Sequence, residues 1–266
     1  MNKKKLNIGC GDIFINDVSW INIDIDSNSK DVISHNILKN IPFSNESFDF
    51  IYTSHFIEHI PLEKIDFFFR ECSRVLKKGG YIRIVTPDLE EMCQSYIHYK
   101  QNNKKKKEFV SIEIIDQLVR KKKGGKLKEI INNYFENKDQ EMINFINSRT
   151  GYFLKKKSNN NNVPNSIILR LKKKLTFMYI KLILSFLPDA FKSQNVSLTD
   201  IGENHTWIWD FDNIKEYLIK YDFNCIEKKE FNTTQVDFFS PYELDVFDQD
   251  IPRKGSQSMF IEAKKK

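Results

Sequence analysis

Short apolar runs separated by polar turns fill residues 5–90 and predict strands over 5–9, 20–25, 31–35, 48–53 and 80–86. Before the last of these, Leu62, Ile65, Phe68, Phe69, Cys72, Val75 and Leu76 recur at spacings of three and four. That periodicity predicts a helix over 62–76, with Gly79-Gly80 expected to end it. Asp12 to Ser19 alone separate the first two strands, too little chain for a right-handed crossover with a full helix. A loop or a single helical turn is predicted there.

From about 93 to 200 the pattern changes. Lysine runs stand at 104–107, 121–123, 155–157 and 172–174, and Ser158–Asn162 is a low-complexity tract. Helices are predicted over 108–121 and 126–147, and a mobile loop over 157–165. In 166–191, Ile167, Ile168, Leu171, Leu175, Met178, Leu182 and Leu187 alternate with Arg170, Lys172, Lys173, Lys174 and Lys181. The favoured reading is a helix whose apolar stripe packs on the domain. The other is a surface helix that lies on anionic membrane or holds a lipid-linked substrate. The chain closes with a predicted helix over Asn213–Tyr221, a strand near 223–231, a variable loop over 232–254 and a strand over 257–263. No internal repeat is evident.

A chain of 266 residues, 40% hydrophobic and 29% charged, has the composition of a globular protein able to bury a sizeable core. Its four cysteines, Cys10, Cys72, Cys93 and Cys225, show no Cys-x-x-Cys spacing, so reduced thiols in a cytoplasmic protein are expected. Met-Asn-Lys-Lys-Lys leads directly into a strand, so no secretory leader is expected. No apolar run is long enough to span a bilayer.

The first chemical signal is Leu6-Asn7-Ile8-Gly9-Cys10-Gly11, a strand ending in Gly-x-Gly, where glycine permits unusual backbone angles and close approach of a ligand. Trp20-Ile21-Asn22-Ile23-Asp24 follows, a second strand ending in a carboxylate able to accept from ribose hydroxyls. A dinucleotide fingerprint would need a small residue at position 14, which holds Phe14, and no phosphate-binding Gly-x-x-x-x-Gly-Lys loop occurs. Further along stand Ile41-Pro42-Phe43, Phe48-Asp49-Phe50-Ile51-Tyr52, His55-Phe56-Ile57-Glu58-His59, Arg74-Val75-Leu76-Lys77-Lys78-Gly79-Gly80 and Tyr81–Asp88.

In that order these segments resemble the class I S-adenosylmethionine-dependent methyltransferases, and most of all a bacterial branch associated with surface-polysaccharide and glycan biosynthesis. The resemblance is dense over 5–90 and returns over about 203–264, in His205-Thr206-Trp207-Ile208-Trp209-Asp210 and Ser258–Lys264. It implies a Rossmann-like α/β fold: a seven-stranded, mostly parallel sheet with a C-terminal antiparallel hairpin and a helical insertion. Residues 1–92 and 200–266 would form the cofactor-binding domain, and 93–199 a Lys/Asn-rich substrate lid above the sheet's carboxyl edge. S-adenosyl-L-methionine would lie over Gly9, Cys10 and Gly11, with Asp24 on the ribose hydroxyls and Asn36 and Ile37 at the adenine. Ser54 and His55 would line the methionine end. Asn7 stands where many relatives carry an acid, Asn36 where an Asp is frequent, and Lys78 replaces a proline; Asn36 can still accept through its side-chain oxygen.

For an alcohol acceptor the protein must also remove a proton. His205, before the last helix, is the first candidate base, and His59 the second. His55-x-x-Glu58-His59 matches the His-x-x-Glu-His pattern of some zinc peptidases and resembles the Glu-x-x-Glu-His site of certain RNA 2′-O-methyltransferases. Placed between a buried strand and Pro61, it is expected to form a loop with at most one helical turn and to bind no metal. The net charge of +6 comes without an RNA-recognition signature, so nucleic acid is not the expected partner. The expected function is methylation of a sugar or glycan hydroxyl. RNA or a small metabolite as acceptor, or a non-catalytic cofactor-binding subunit of a glycan assembly complex, are the alternatives.

Overall fold

The computed structural model describes residues 3–25, 27, 29–151, 167–199, 202–247 and 251–266, with 167–173 as backbone alone. In chain order the elements are β1 (Lys5–Ile8), β2 (Trp20–Asp24), β3 (Val32–Ser34), β4 (Phe48–Ser54), a 3-10 turn (Ile57–His59), α1 (Leu62–Val75) and β5 (Leu76–Pro87). Then follow α2 (Leu89–Asn102), α3 (Lys104–Val119), α4 (Gly125–Glu136), α5 (Gln140–Thr150), α6 (Ile167–Ser185) and α7 (Asp189–Asn195). The chain ends with α8 (Phe211–Lys220), β6 (Phe223–Lys229), β7 (Val246–Phe247), β8 (Ile251–Pro252) and β9 (Ser258–Lys265).

Seven strands form one sheet in the order β3-β2-β1-β4-β5-β9-β6, parallel from β3 to β5, with β9 antiparallel to both its neighbours. β7 and β8 make a separate small hairpin. This is the expected α/β architecture. No helix forms between β1 and β2, as the short connection predicts.

The alternation of side chains along each strand gives the sheet two different faces. On one, Leu6, Ile8, Ile51, Ile82, Ile84 and Ile261 form a core with Ile65, Phe68, Phe69 and Cys72 of α1 and Ile214 and Leu218 of α8. Each such buried side chain contributes roughly 1.5–3 kcal/mol of transfer free energy. On the other face, Phe50, Tyr52, Val85 and Phe260 pack with Trp20, Val236, Phe239 and Leu244. That cover comes from the segment predicted as a variable loop, now seen as an ordered layer.

A buried ionic cluster fixes this layer. The Arg83 side chain, fully buried, donates to Asp245 and Glu262, both at 2.7 Å, and to the Thr233 carbonyl at 2.9 Å. Tyr52 donates to the other Asp245 oxygen at 2.6 Å, and Glu262 also accepts from Thr234 and from the Gln235 N–H.

Three predicted elements need correction. α1 stops at Val75 without help from Gly79-Gly80: Leu76 turns extended and already pairs with Phe48, which makes it the first residue of β5. The glycines sit instead at an irregularity inside β5, where a Cβ on Gly80 would meet the Asp49 and Lys77 carbonyls at 3.0 and 2.9 Å. The helix predicted over 126–147 is two helices, because Lys138 takes a positive φ and Asp139 caps α5 by accepting from the Met142 N–H. The helix predicted over 166–191 breaks before Pro188, and over its described side chains the apolar stripe does not pack on the domain. From Lys174 to Ser185 every side chain but Leu184 is exposed, Leu175, Met178 and Leu182 among them. The loop predicted over 157–165 lies outside the described residues. α2 was not predicted; its cap, Asp88, accepts from the Glu90 and Glu91 N–H groups. Among the described residues, no helix is long and apolar enough to cross a membrane.

The Ile41-Pro42-Phe43 and Arg74-Val75-Leu76 motifs meet in one clamp. Arg74 donates to Glu71 at 2.7 and 2.8 Å and to the carbonyls of Phe43 and Ile41, while Glu71 accepts from the Ile41 N–H at 3.0 Å. These bonds, first those from Arg74, hold the Glu71 carboxyl below its ordinary value of 4.5. Because the unfolded chain takes up this proton at higher pH than the folded one, the clamp's stabilisation is complete above about pH 4.5 and is lost on acidification. In urea titrations at stepped pH, Glu71→Gln is expected to be less stable than the parent at pH 7 and to lose less stability below pH 4.5; an unchanged acid slope would contradict this.

Candidate active site at the carboxyl edge of the sheet

β1 and β2 run parallel with Ile8 opposite Ile23, so their ends arrive together at the carboxyl edge. Beyond β1 the chain turns at Gly9 and Gly11, with φ of +65° and +53°. The Gly9 N–H continues the ladder to the Ile23 carbonyl at 2.9 Å, and the Gly11 N–H donates to the Asp24 carboxylate at 2.8 Å. The two glycines are needed for different reasons. A Cβ on Gly9 would enter the Phe56 ring, whereas one on Gly11 would meet nothing within 4 Å. Gly11 thus leaves open space beside a placed carboxylate, which fits a ribose-bearing ligand laid against backbone.

The remaining residues assigned to the cofactor fall around this turn in different ways. Asn7 is buried beneath it and donates to the Ile13 carbonyl and Asn22 side chain, so it holds the 12–19 loop rather than standing at the surface. Cys10 is buried, and burial, followed by the Asp24 charge, pushes its thiol up to about 12. Asn36 uses its side-chain oxygen to accept from the Leu38 N–H, and Ile37 beside it is buried. His35 ties this segment to β2 through its N–H and the Asp24 carbonyl.

Ser54 ends β4, and the next residue, His55, is held at φ +50°, a region that β-carbon sterics disfavour. Its N–H bonds the Val85 carbonyl, Nε2 lies 2.9 Å from Ser258 Oγ, and Nδ1 lies 3.4 Å from Glu58. Phe56 then reaches back over Gly9. The chain follows with the 3-10 turn Ile57–His59, in accord with the predicted single turn.

Glu58 is fully buried within that turn. Its Oε2 accepts from Thr86 at 3.2 Å, and its Oε1 has no hydrogen-bond partner. Burial raises its carboxyl above the ordinary value, offset in part by the charges of His59 and Lys254. The Glu58 carbonyl accepts from the N–H groups of Thr206 and Trp207 and from the Thr206 hydroxyl, which docks the segment before α8 onto the turn. His59 Nδ1 bonds the Asn204 carbonyl at 2.8 Å. His205, also buried, lies with its ring centroid 4.9 Å from that of His59. Its Nε2 is 2.9 Å from the Gln117 side-chain amide of α3, and its N–H bonds the Gln117 carbonyl.

The structure therefore brings His59 and His205 together, although they lie far apart in sequence. Glu58, Gln117, Asn204 and Thr86 complete the group; Glu58 and Thr86 stood in motifs, and Gln117 gave no sequence signal. Nearby, at the β5–β9–β6 end of the same edge, a cavity of about 540 Å³ is lined by Asp88, Lys228, Phe231, Gly255 and Ser258 among others. Ser258 is the residue bonded to His55.

Residues 6–84, which hold the glycine turn, Asp24, His55 and His59, match a family model described as a methyltransferase domain. With the strand order and the cofactor edge built on it, the chain carries a class I S-adenosylmethionine-dependent methyltransferase domain, and S-adenosylmethionine is its cofactor. Similar solved structures include a SAM-dependent methyltransferase from Archaeoglobus fulgidus (16% identity, 99% of this chain and 86% of that one, TM-score 0.39). Others are a SAM-dependent methyltransferase from Methanosarcina mazei (14%, 99% and 92%, 0.42) and a possible histamine N-methyltransferase from Thermotoga maritima (13%, 99% and 82%, 0.41). No curated protein matches the chain.

The two glycines give an internal contrast. Gly9→Ala is expected to displace Phe56 and weaken binding of S-adenosylhomocysteine by at least about tenfold. Gly11→Ala should leave Phe56 in place and carry left-handed backbone strain of about 1 kcal/mol, losing affinity through a Cβ set in the space kept for the ligand. Thermal unfolding without ligand separates the two; equal destabilisation would show that Phe56 does not constrain the turn.

Proposed function

We propose that this protein O-methylates a hydroxyl of a sugar or glycan intermediate, with His205 as the base and His59 beside it. The observation that carries the reading is the pairing of half-buried His59 with buried His205, fixed by the Glu58 turn on the same sheet edge as Gly9–Gly11 and Asp24. When bound, S-adenosylmethionine supplies an electrophilic methyl group, so the protein has to place the acceptor, exclude water and remove one proton. Asp24 accepts from the ribose hydroxyls, and Phe56 couples the glycine turn to the histidines. The Gln117 side-chain amide nitrogen lies 2.9 Å from His205 Nε2 and fixes the orientation of the ring. When the methyl group is transferred, the acceptor hydroxyl would give up its proton to His205.

A sugar acceptor is favoured by the cavity beside Ser258, which offers an aromatic ring, hydroxyls and charged groups, and by the resemblance of 203–264 to the glycan-associated branch. The helices of 93–199 act as its lid, since α3 reaches the site through Gln117. Phosphates of a nucleotide sugar or lipid-linked glycan suit the net charge of +6. α6 supports peripheral attachment at an anionic membrane: Leu175, Phe177, Met178 and Leu182 are exposed on a helix that also carries Lys174 and Lys181.

Two measurements test this. His205→Gln is expected to lower turnover on a sugar acceptor by about 10²–10⁴-fold while S-adenosylhomocysteine affinity stays within about threefold, whereas Asp24→Ala should abolish that affinity. Retained turnover in His205→Gln removes it as the base, and transfer to RNA but no carbohydrate overturns the acceptor class. In sedimentation with phosphatidylglycerol-containing vesicles the parent should co-pellet and Leu175→Glu/Leu182→Glu should not; equal pelleting of both rules out α6 as the anchor.

A further inference from the structure

We propose that Glu58, His59 and His205 form a binding site for one divalent first-row transition ion. Zinc is the ion that two imidazoles and one carboxylate suit best. The chain's own pattern brought only His55, Glu58 and His59 together; folding keeps His55 beside Glu58 and brings in His205, whose position no local spacing predicts. One ligand atom from each of the three residues lies within 4.8 Å of the other two. A tetrahedral ion with bonds of about 2.1 Å holds its ligand atoms roughly 3.4 Å apart. The side chains thus have little more than an ångström to close.

An independent observation points to a missing cation. Glu58 is fully buried, Thr86 bonds Oε2, and Oε1 has no hydrogen-bond partner, with His55 Nδ1 at the ion-pair distance of 3.4 Å. A buried carboxylate oxygen without a hydrogen bond is costly, and pairing with a metal ion is one of the ways buried charge is accommodated. Both imidazoles are also oriented from behind. His59 Nδ1 faces the Asn204 carbonyl at 2.8 Å, an acceptor, so its proton sits there and Nε2 carries the lone pair. The Gln117 side-chain amide nitrogen lies 2.9 Å from His205 Nε2 and holds that ring in place. A carbonyl accepting from the far nitrogen, as at His59, is the usual support of a metal-binding histidine. Lys254 acts on Glu58 through its charge, and a bound ion has to outweigh it.

Three protein ligands leave a coordination position open, the arrangement of ions that act on a bound oxygen rather than ions that only hold a fold. Such an ion would acidify the same acceptor hydroxyl in place of His205, whose lone pair it takes up; the site itself does not depend on the acceptor. The exposed thiols Cys93 and Cys225 are a second, unrelated place where soft ions collect, so the test removes them.

Chelator-treated full-length protein carrying Cys93→Ser and Cys225→Ser is titrated with Co²⁺ by visible absorption and with Zn²⁺ by calorimetry. One equivalent should bind, with ligand-field bands of four- or five-coordinate cobalt. His59→Ala and His205→Gln should each weaken binding by about a hundredfold or more, with circular dichroism matching the parent and S-adenosylhomocysteine affinity within about threefold. No stoichiometric binding to the folded parent, or undiminished binding by both variants, overturns the site. Loss of S-adenosylhomocysteine binding in the parent would instead count against the methyltransferase reading, and the metal titration would stand on its own.

Discussion

The hydrogen bond from the Gly11 N–H to the Asp24 carboxylate is the joint on which the cofactor edge depends. It exists because β1 and β2 pair in parallel register and both end at the same level. No helix intervenes, and the turn after β1 is held by this carboxylate, by the Ile23 carbonyl, by the Ile13 N–H on the Cys10 carbonyl and by the Asn7 amide beneath. Positive φ at Gly9 and Gly11 lets the N–H groups face these acceptors. Asp24 thus steadies the turn and stands at its edge, which is how one side chain can serve fold and ligand together.

From that joint the constraint passes through Phe56 to the histidines. Gly9 has no side chain where Phe56 lies, Phe56 leads into the 3-10 turn, and the turn's carbonyls and Glu58 receive the segment that brings His205. On the opposite face the Arg83 cluster does comparable work. Removing one member of a buried ionic group leaves its partners unpaired and typically costs roughly 3–5 kcal/mol. Here Asp245 and Glu262 would both be stranded beneath the aromatic layer of Phe239 and Phe260, whose rings also receive the guanidinium face.

What the sequence made legible was local. The strands of 5–90, the loop after β1 and the turn at 57–59 follow from short-range patterns and are present. The break at Lys138 was illegible because a single residue in the left-handed region leaves the apolar periodicity intact. Gly79-Gly80 looked like a helix stop, since nothing local reveals that Leu76 already pairs with Phe48. Arg83, Asp245 and Glu262 gave no local sign of their pairing, for their burial depends on partners in distant parts of the chain. The same distance hid the meeting of His205 with His59 and gave Gln117 no mark at all. α6 was misjudged because an apolar stripe states that a helix wants a partner, not where the partner is.

The position of β9 has a consequence for synthesis of the protein. It lies between β5 and β6, yet it is the last strand to leave the ribosome. Until then one long, apolar border of β5 has nothing to zip against, throughout translation of the whole helical region. A nascent chain in that condition invites pairing with a neighbour. Premature termination between β6 and Ser258 removes the strand that joins β6 to β5, so β6 is left detached from a five-stranded remainder.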